Sequence, residues 1–267
     1  MSKDVWVRLP SSAQKGVTKS TVDSELIRGR GAWSTLGKDN GSKYYCYLSR
    51  MYMDGRRPNY DLHHFAVNRG VRAIQIRLNY LGFRIPVVGA INVNGKFGFH
   101  TKLGVKWFQQ EYNLPVDGVV GPVTSQALWL PLVRAIGMRV CSRPDILYGM
   151  TALESAFDPG AISSLYKPEN GPDYGLCQIN THFNPHVGVG EAFTPRYALN
   201  WSATRFQNAM DSFSGKGITL QTNCAIAYHN SPVQAGQWFE TGVPPTEQIE
   251  TYVALVLERA SHFPIEE

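Results

Sequence analysis

The chain has 267 residues, which is long enough for two domains. Apolar residues make up 43% of it and charged residues 18%, ordinary proportions for a globular protein that exclude the disordered and collagen-like classes. No stretch approaches the ~20 consecutive apolar residues of a membrane-spanning helix.

We predict that residues 1–60 form a basic arm of unknown role. Residues 1–130 carry 18 Lys and Arg against 8 Asp and Glu, a balance of +10, whereas residues 131–267 carry 8 against 13, a balance of −5. A basic part ahead of an acidic part favours attraction to a polyanion, such as a wall polymer or an outer-membrane lipid. The alternative is solubility charge without a partner. No nucleic-acid-binding motif accompanies the charge, so we expect no nucleic-acid partner.

The beginning of the chain does not predict a secretory signal peptide. It reads Met-Ser-Lys-Asp-Val-Trp-Val-Arg-Leu-Pro, with an acid inside the basic start and no apolar core segment. We therefore expect synthesis in the cytoplasm. The four cysteines lack the spacing of metal ligands, so free buried thiols are the expectation for Cys46, Cys141, Cys177 and Cys224.

Residues 93–101 and 116–124 form a repeat, Val-[Asn/Asp]-Gly-x-[Phe/Val]-Gly-x-x-Thr, offset by 23 residues. Its Asn-Gly or Asp-Gly pair predicts a turn with positive φ, and its Thr predicts a nearby helix start. Apolar spacings of three and four predict one helix that includes Val71, Ile74 and Leu78, and another around Leu103 and Trp107.

This pattern, extended by Gln75, Gly82, Phe108-Gln109 and Leu128, resembles the three-helix peptidoglycan-binding domain of wall hydrolases. The resemblance implies a wall-binding domain over residues 61–130. A small helical spacer domain is the alternative.

Two acidic residues stand out in the second half of the chain. Glu154 ends an apolar run that predicts a helix from Ile146, a setting that raises a carboxyl pKa toward neutrality. Asp173 follows after a loop long enough to fold back into the same cleft. Cleavage of a glycosidic bond needs an acid for the leaving oxygen and a second group for the oxocarbenium-like centre, which two carboxyl groups in unequal environments supply.

Three motifs surround these acids. Glu154-Ser155 leads to Phe157, Pro159, Ala161 and Ser163; the second motif is Gly175-Leu176-Cys177-Gln178-Ile179, and the third is Ala227-Tyr228-His229. They resemble the lysozyme-like superfamily, and more closely its lytic transglycosylase branch. The branch has Met at the position of Cys177 and Asn at the position of His229.

The resemblance implies site residues. Glu154 is the implied acid, and Asp173 either a second catalytic group or the cap of a turn. A short strand is expected to bring Gln178 and Asn180 to the cleft, and the Tyr228 hydroxyl is expected close to Glu154. The implied substrate-binding residues are Ser155, Gln178, Asn180, Tyr228 and His229. Convergence of the motifs makes a Cys177–Cys224 disulfide a further alternative.

We therefore predict a mainly α fold: a three-helix peptidoglycan-binding domain, then a lysozyme-like α+β domain with a short β-hairpin over residues 131–267. The predicted function is that of a monomeric, phage-type endolysin that binds peptidoglycan and acts as a lytic transglycosylase. It is expected to reach the wall after release from the host cytoplasm, or within a virion. The alternatives are a hydrolytic muramidase that uses Glu154 and Asp173, and a non-catalytic wall-binding virion protein. No cofactor or metal is expected.

Overall fold

The computed structural model describes residues 60–163 and 170–264. Apart from Tyr60, the predicted basic arm lies outside them, as does Cys46. The first part consists of helices α1 (Tyr60–Tyr80), α2 (Phe99–Glu111) and α3 (Pro122–Val140). The rest consists of α4 (Pro144–Ser155), β1 (Asp173–Tyr174), β2 (Ile179–Asn180), α5 (Val189–Ala192), α6 (Pro195–Ser212), α7 (Ile218–Asn230), α8 (Pro232–Thr241) and α9 (Glu247–Ala260). The predicted fold class, mainly helical with one short antiparallel hairpin, is confirmed. No helix in the described ranges has the length and apolar character to cross a membrane.

The sequence repeat forms two equivalent turns, each of which leads into a helix. Gly95 and Gly118 have φ values of 73° and 74°, as the Asn-Gly and Asp-Gly pairs predict. The second glycine of each repeat is the N-cap of the next helix, Gly98 for α2 and Gly121 for α3. The repeat therefore sets both the bend and the helix start.

A buried glutamine amide holds the first of these turns. Gln75 Oε1 accepts from the N–H of Gly95 at 3.0 Å. Its Nε2 lies 3.0 Å from Thr101 Oγ1, 3.0 Å from the Lys96 carbonyl and 3.2 Å from Asn94 Oδ1. One side chain thus binds the whole turn to α1.

Gln109 repeats the arrangement in the second turn. Its Oε1 accepts from Gly118 N–H at 2.8 Å, and its Nε2 lies 2.7 Å from Asp117 Oδ1, 2.9 Å from the Val119 carbonyl and 3.1 Å from Thr124 Oγ1. Since the same four kinds of contact recur, the sequence repeat is a repeat of hydrogen-bonded structure.

Helix α3 joins the two halves of the chain. It runs from Pro122 to Val140 and so continues through residue 130, where we predict the domain boundary. Arg77 Nε donates to the Leu128 carbonyl at 2.9 Å, and Ser125 Oγ donates to the Phe157 carbonyl at 2.6 Å. Buried apolar residues of both halves form one continuous core. Helix α3 is therefore a shared wall of the two predicted domains.

Helices α4 and α9 pack closely because Gly149 has no side chain. A Cβ atom at Gly149 would lie 2.4 Å from the carbonyl oxygen of Val256, closer than any real contact allows. The two helices are antiparallel here, because the residues after Gly149 meet the residues before Val256. This contact fixes the distance between α9 and the carboxyl end of α4.

The hairpin places its two strands beside that helix end. Asp173 is paired with Asn180 and Tyr174 with Ile179, in antiparallel register. Cys141, Cys177 and Cys224 are free and buried, as expected for the three cysteines in the described part, so Cys177 and Cys224 do not form a disulfide.

Candidate active site

A cleft of about 580 Å³ opens between the hairpin, the end of α4 and helices α6 and α7. Five of the residues that we predict for the site line it: Glu154, Asp173, Gln178, Asn180 and His229. The structure therefore brings together five of the seven predicted site residues, whereas Ser155 and Tyr228 do not line this cleft.

Glu154 is a partly buried carboxyl group at the end of α4. Its side chain is 18% exposed. The pKa of Glu154 is raised to about 7, mainly by burial and to a lesser extent by the nearby charge of Asp173, against the opposing effect of the hydrogen bond from Tyr252. A carboxyl group with a pKa near neutrality can both donate and accept a proton under ordinary conditions.

Tyr252 of α9 makes a short hydrogen bond to this carboxyl group. Its hydroxyl donates to Glu154 Oε1 at 2.6 Å. The resemblance implied that the Tyr228 hydroxyl would approach Glu154, but among the described residues the hydroxyl that contacts this carboxyl group belongs to Tyr252, which also packs against the hydrophobic core. The close α4–α9 contact at Gly149 explains the outcome, because it brings the preceding turn of α9 alongside the last turn of α4.

Tyr228 faces another direction because it precedes His229 on α7, and neighbouring residues of a helix point about 100° apart. The ring of Tyr228 lies 4.7 Å from the Arg205 guanidinium carbon and 6.1 Å from the Phe213 ring. Its neighbour His229 reaches the cleft, with Nε2 3.6 Å from Glu154 Oε1.

His229 is a neutral imidazole at this position. Its Nε2 lies 3.2 Å from the carbonyl oxygen of Cys177, which can only accept, so Nε2 carries the hydrogen. The pKa of His229 is lowered to about 4, mainly by burial and also by the positive charge of Arg205. The side chain is 7% exposed.

Asp173 and Asn180 face each other across the hairpin. Asn180 Nδ2 donates to Asp173 Oδ1 at 2.8 Å and to the Asn170 carbonyl at 3.1 Å. Asn180 Oδ1 accepts from the backbone N–H of His182 at 2.9 Å. Burial raises the pKa of Asp173, and hydrogen bonds from Asn180 and Ser163 oppose this. The Asn180 amide therefore organises the loop and orients Asp173.

Gln178 lies in the turn between the strands rather than on a strand. Its backbone has φ 46°, and its Nε2 donates to the Gly175 carbonyl at 2.9 Å. Strand β2 starts only at Ile179, so the expectation that a short strand carries both Gln178 and Asn180 is wrong for Gln178. Gln178 still lines the cleft, because the turn itself forms part of the cleft wall.

Ser155 is buried and does not line the cleft, which corrects its predicted role in substrate binding. Its Oγ donates to the Leu176 carbonyl at 2.8 Å. Ser155 follows Glu154 by one residue, so its side chain points away from the cleft and into the core. It ties the end of α4 to the turn that carries Gln178.

Several residues of the site were not predicted from the sequence, among them Tyr252, Arg205, Trp201 and Phe183. The last three line the cleft, and Trp201 packs edge-on against His229 with ring centroids 6.0 Å apart. Trp201 and Arg205 are an aromatic and a basic residue four positions apart on α6, and this spacing was the available signal. Nothing local marks Tyr252. Within residues 60–163 and 170–264, no cluster of three His, Cys, Asp or Glu side chains could hold a metal ion.

Two family models match the chain. The peptidoglycan binding domain family matches residues 68–128, and the transglycosylase SLT domain family matches residues 132–245. The second match contains Glu154, Asp173 and His229 but ends before Tyr252. Neither the search of curated proteins nor that of solved structures found a significant match.

Proposed function

We propose that this lytic transglycosylase, in which a peptidoglycan-binding domain precedes a transglycosylase domain, cuts one specific bond of the glycan strand. This is the β-1,4 bond between N-acetylmuramic acid and N-acetylglucosamine. The observation that carries the proposal is the Glu154 carboxyl group, which lines the cleft, has a pKa of about 7 and accepts a 2.6 Å hydrogen bond from Tyr252.

In the first step Glu154 is protonated and donates to the glycosidic oxygen while the bond from that oxygen to C1 of the muramyl sugar breaks. The departing sugar keeps the proton as its 4-hydroxyl group. Glu154 is then a carboxylate, which the Tyr252 hydroxyl stabilises through its hydrogen bond to Oε1. The neutral His229 contributes an N–H dipole 3.6 Å away without adding a full charge.

In the second step the 6-hydroxyl oxygen of the muramyl sugar attacks C1, and its proton passes to the Glu154 carboxylate. The acid is restored and a 1,6-anhydro ring forms without consumption of water. A single group can serve in both directions because its pKa lies close to neutrality.

The mass of the product tests this sequence of steps. Purified peptidoglycan is digested with the wild-type protein and the fragments are analysed by mass spectrometry. We expect muramyl ends lighter by one water than those of a hydrolase, and no new ends from Glu154→Gln. Fragments that carry the additional water would overturn the transglycosylase step.

Hydrolysis by the same site is the second candidate, because Asp173 shares the cleft and its charge influences Glu154. In that case Asp173 supports the cation while water attacks. Asp173→Asn separates the two. Under our proposal it keeps the anhydro product and loses less activity than Glu154→Gln. Equal losses with a hydrated product would favour the muramidase.

We also propose that the enzyme serves as an endolysin, acting on the wall only after release from the cytoplasm. The pairing of a wall-binding domain with a wall-cleaving domain supports this. The test is cytoplasmic expression in a Gram-negative host, with and without chloroform to permeabilise the inner membrane. We expect rapid lysis only with permeabilisation, and none with Glu154→Gln. Lysis without permeabilisation would contradict a dependence on release.

A further inference from the structure

Arg205 places a positive charge in the cleft wall without a carboxylate to balance it. The side chain is half-buried and lines the same cleft as Glu154 and Asp173. Within the described ranges no carboxylate oxygen lies within 4 Å of its guanidinium group, whereas Arg143 of the same domain is paired with Asp145 at 2.9 Å. Among the described residues, the only cation of the cleft wall is thus not ion-paired with a carboxylate.

The guanidinium group is held in place by aromatic rings and one carbonyl. Its central carbon lies 4.7 Å from the Tyr228 ring and 5.2 Å from the Trp201 ring. Its Nη2 donates to the Tyr228 carbonyl at 3.3 Å, and its Nε is buried without a hydrogen-bond partner among the described residues. Contacts with rings and a neutral carbonyl fix the position of the planar fork but leave its charge uncompensated.

Such an arrangement is unfavourable in the empty protein. Burial lowers the pKa of Arg205, the expected response of a cation that has lost water without gaining an anion. An anion that enters the cleft recovers this cost, because a guanidinium group and a carboxylate form a charge-assisted, often bidentate contact.

We propose that Arg205 recognises a carboxylate on the muramyl side of the glycan strand and so selects the substrate. The inference rests on the proposed function. The sugar rings themselves are neutral, and N-acetylglucosamine carries no acid. The carboxylates of peptidoglycan belong to the lactyl group of the muramyl sugar, where it is free, and to the stem peptide attached there. Arg205 therefore distinguishes muramyl strands from neutral oligomers of N-acetylglucosamine.

Binding to protein that cannot cleave tests this recognition. In the Glu154→Gln background, calorimetry measures Kd for three ligands: the neutral N-acetylglucosamine hexamer, glycan strands stripped of stem peptides, and strands that retain them. We expect Arg205→Gln to raise Kd for a carboxylate-bearing ligand by about 10- to 100-fold, and for the neutral hexamer by less than about 2-fold. Arg205→Lys, which keeps the charge but not the fork, should recover part of the loss.

The ligand that responds identifies the source of the carboxylate. A loss confined to stripped strands assigns the lactyl group, and a loss confined to peptide-bearing strands assigns the stem peptide. Equal weakening of all three ligands, or of none, would overturn the inference. Arg205→Met keeps the aliphatic stem between the rings, so it replaces Arg205→Gln if that variant melts early. Arg139→Gln is the matched control, since Arg139 is exposed and donates a hydrogen bond to Asn200 Oδ1 at 2.6 Å, outside the cleft.

The outcome is separable from that of the proposed function. Wild-type protein that yields no anhydro ends from any peptidoglycan contradicts the function, whatever Arg205 binds. Wild-type protein that yields them, together with an Arg205→Gln variant of unchanged ligand preference, contradicts the inference alone.

Discussion

The two halves of the molecule use their buried polar groups in opposite ways. In the wall-binding half, the Gln75 and Gln109 amides have hydrogen-bond partners on both their oxygen and their nitrogen, in the turn that each one holds and in the start of the helix that follows it. In the cleft, His229 Nδ1 and Arg205 Nε are buried without partners among the described residues, and Glu154 has a single short hydrogen bond from the protein.

The difference separates stability from chemistry. A fully hydrogen-bonded amide contributes to the folded state and has nothing left to offer a ligand. A buried acid or cation with unfilled hydrogen-bonding positions destabilises the protein, but those positions can bind the substrate. If this comparison is right, substitutions in the first set weaken the fold, and substitutions in the second set weaken catalysis without weakening the fold.

Glu154→Gln is the strongest test, and we expect it to lower the cleavage rate by about 10²- to 10⁴-fold, the usual contribution of a general acid. The amide keeps the shape and can still meet Tyr252, but it has no proton to give. Initial rates on solubilised peptidoglycan measure the effect. A variant with more than a tenth of wild-type activity would remove Glu154 from the chemistry.

The same substitution should stabilise the protein at alkaline pH. Glu154 has a pKa of about 7 when folded and 4.5 as its ordinary value. Between these values the folded protein holds a proton that the unfolded chain has lost, so wild-type stability falls as the pH rises through this window. The cost reaches at most about 3 kcal/mol above pH 7. Urea unfolding at pH 5 and pH 8 should show a larger advantage of Glu154→Gln at pH 8. An advantage independent of pH would mean that Glu154 titrates normally.

Gln109→Leu breaks the other side of the comparison. It leaves Gly118 N–H without its acceptor and Thr124 Oγ1 and the Val119 carbonyl without their donor, so we expect the free energy of unfolding to fall by about 2–4 kcal/mol. Gln110→Leu is the matched control, since Gln110 is the next residue of α2 and is exposed. Similar losses in both variants would show that the buried amide holds nothing in particular.

The same contrast explains what could be predicted from the sequence. The turns at Gly95 and Gly118 follow from local chemistry, and the repeat doubled the signal. Glu154 and Asp173 were found because their motifs are local as well. Tyr252 lies 98 residues from Glu154, and their contact depends on two helices meeting at Gly149. Local sequence does not reveal such a contact.

The position of Tyr228 outside the cleft, next to His229 inside it, depends on the rotation of one helix about its axis. Apolar spacing places α7 in the core, yet a rotation of about 100° decides which of two neighbours reaches the cleft. The same rotation explains Ser155. Because Glu154 faces the cleft, the side chain of the next residue points into the core. Sequence analysis identified the elements of the site, and packing decided which of their faces form the cleft.

Tyr252→Phe sharpens the comparison inside the cleft. Since the Tyr252 hydrogen bond holds the pKa of Glu154 down, its loss should move the alkaline limb of the pH–rate profile to higher pH, by roughly one pH unit. The rate at the optimum should fall about 10-fold, because the carboxylate of the intermediate loses its donor. Tyr197→Phe is the control, since the hydroxyl that donates to Glu154 among the described residues is that of Tyr252 and not that of Tyr197. An unchanged profile would show that Tyr252 has no influence on the acid.

Ser155→Ala has the smallest expected effect. It tests whether a buried residue next to the catalytic acid serves stability or substrate binding. Ser155 stands next to the catalytic acid, yet like Gln75 it is a buried polar residue. Its hydroxyl donates to the backbone carbonyl of Leu176. We therefore expect a loss of about 1–2 kcal/mol in the free energy of unfolding, from the unpaired Leu176 carbonyl, with KM unchanged. Ser212→Ala is the matched control, since its hydroxyl also donates to a carbonyl but is exposed. A raised KM with an unchanged free energy of unfolding would instead show that Ser155 contacts the substrate, as the sequence motif suggested. In that case its position next to Glu154, and not its burial, would determine its role.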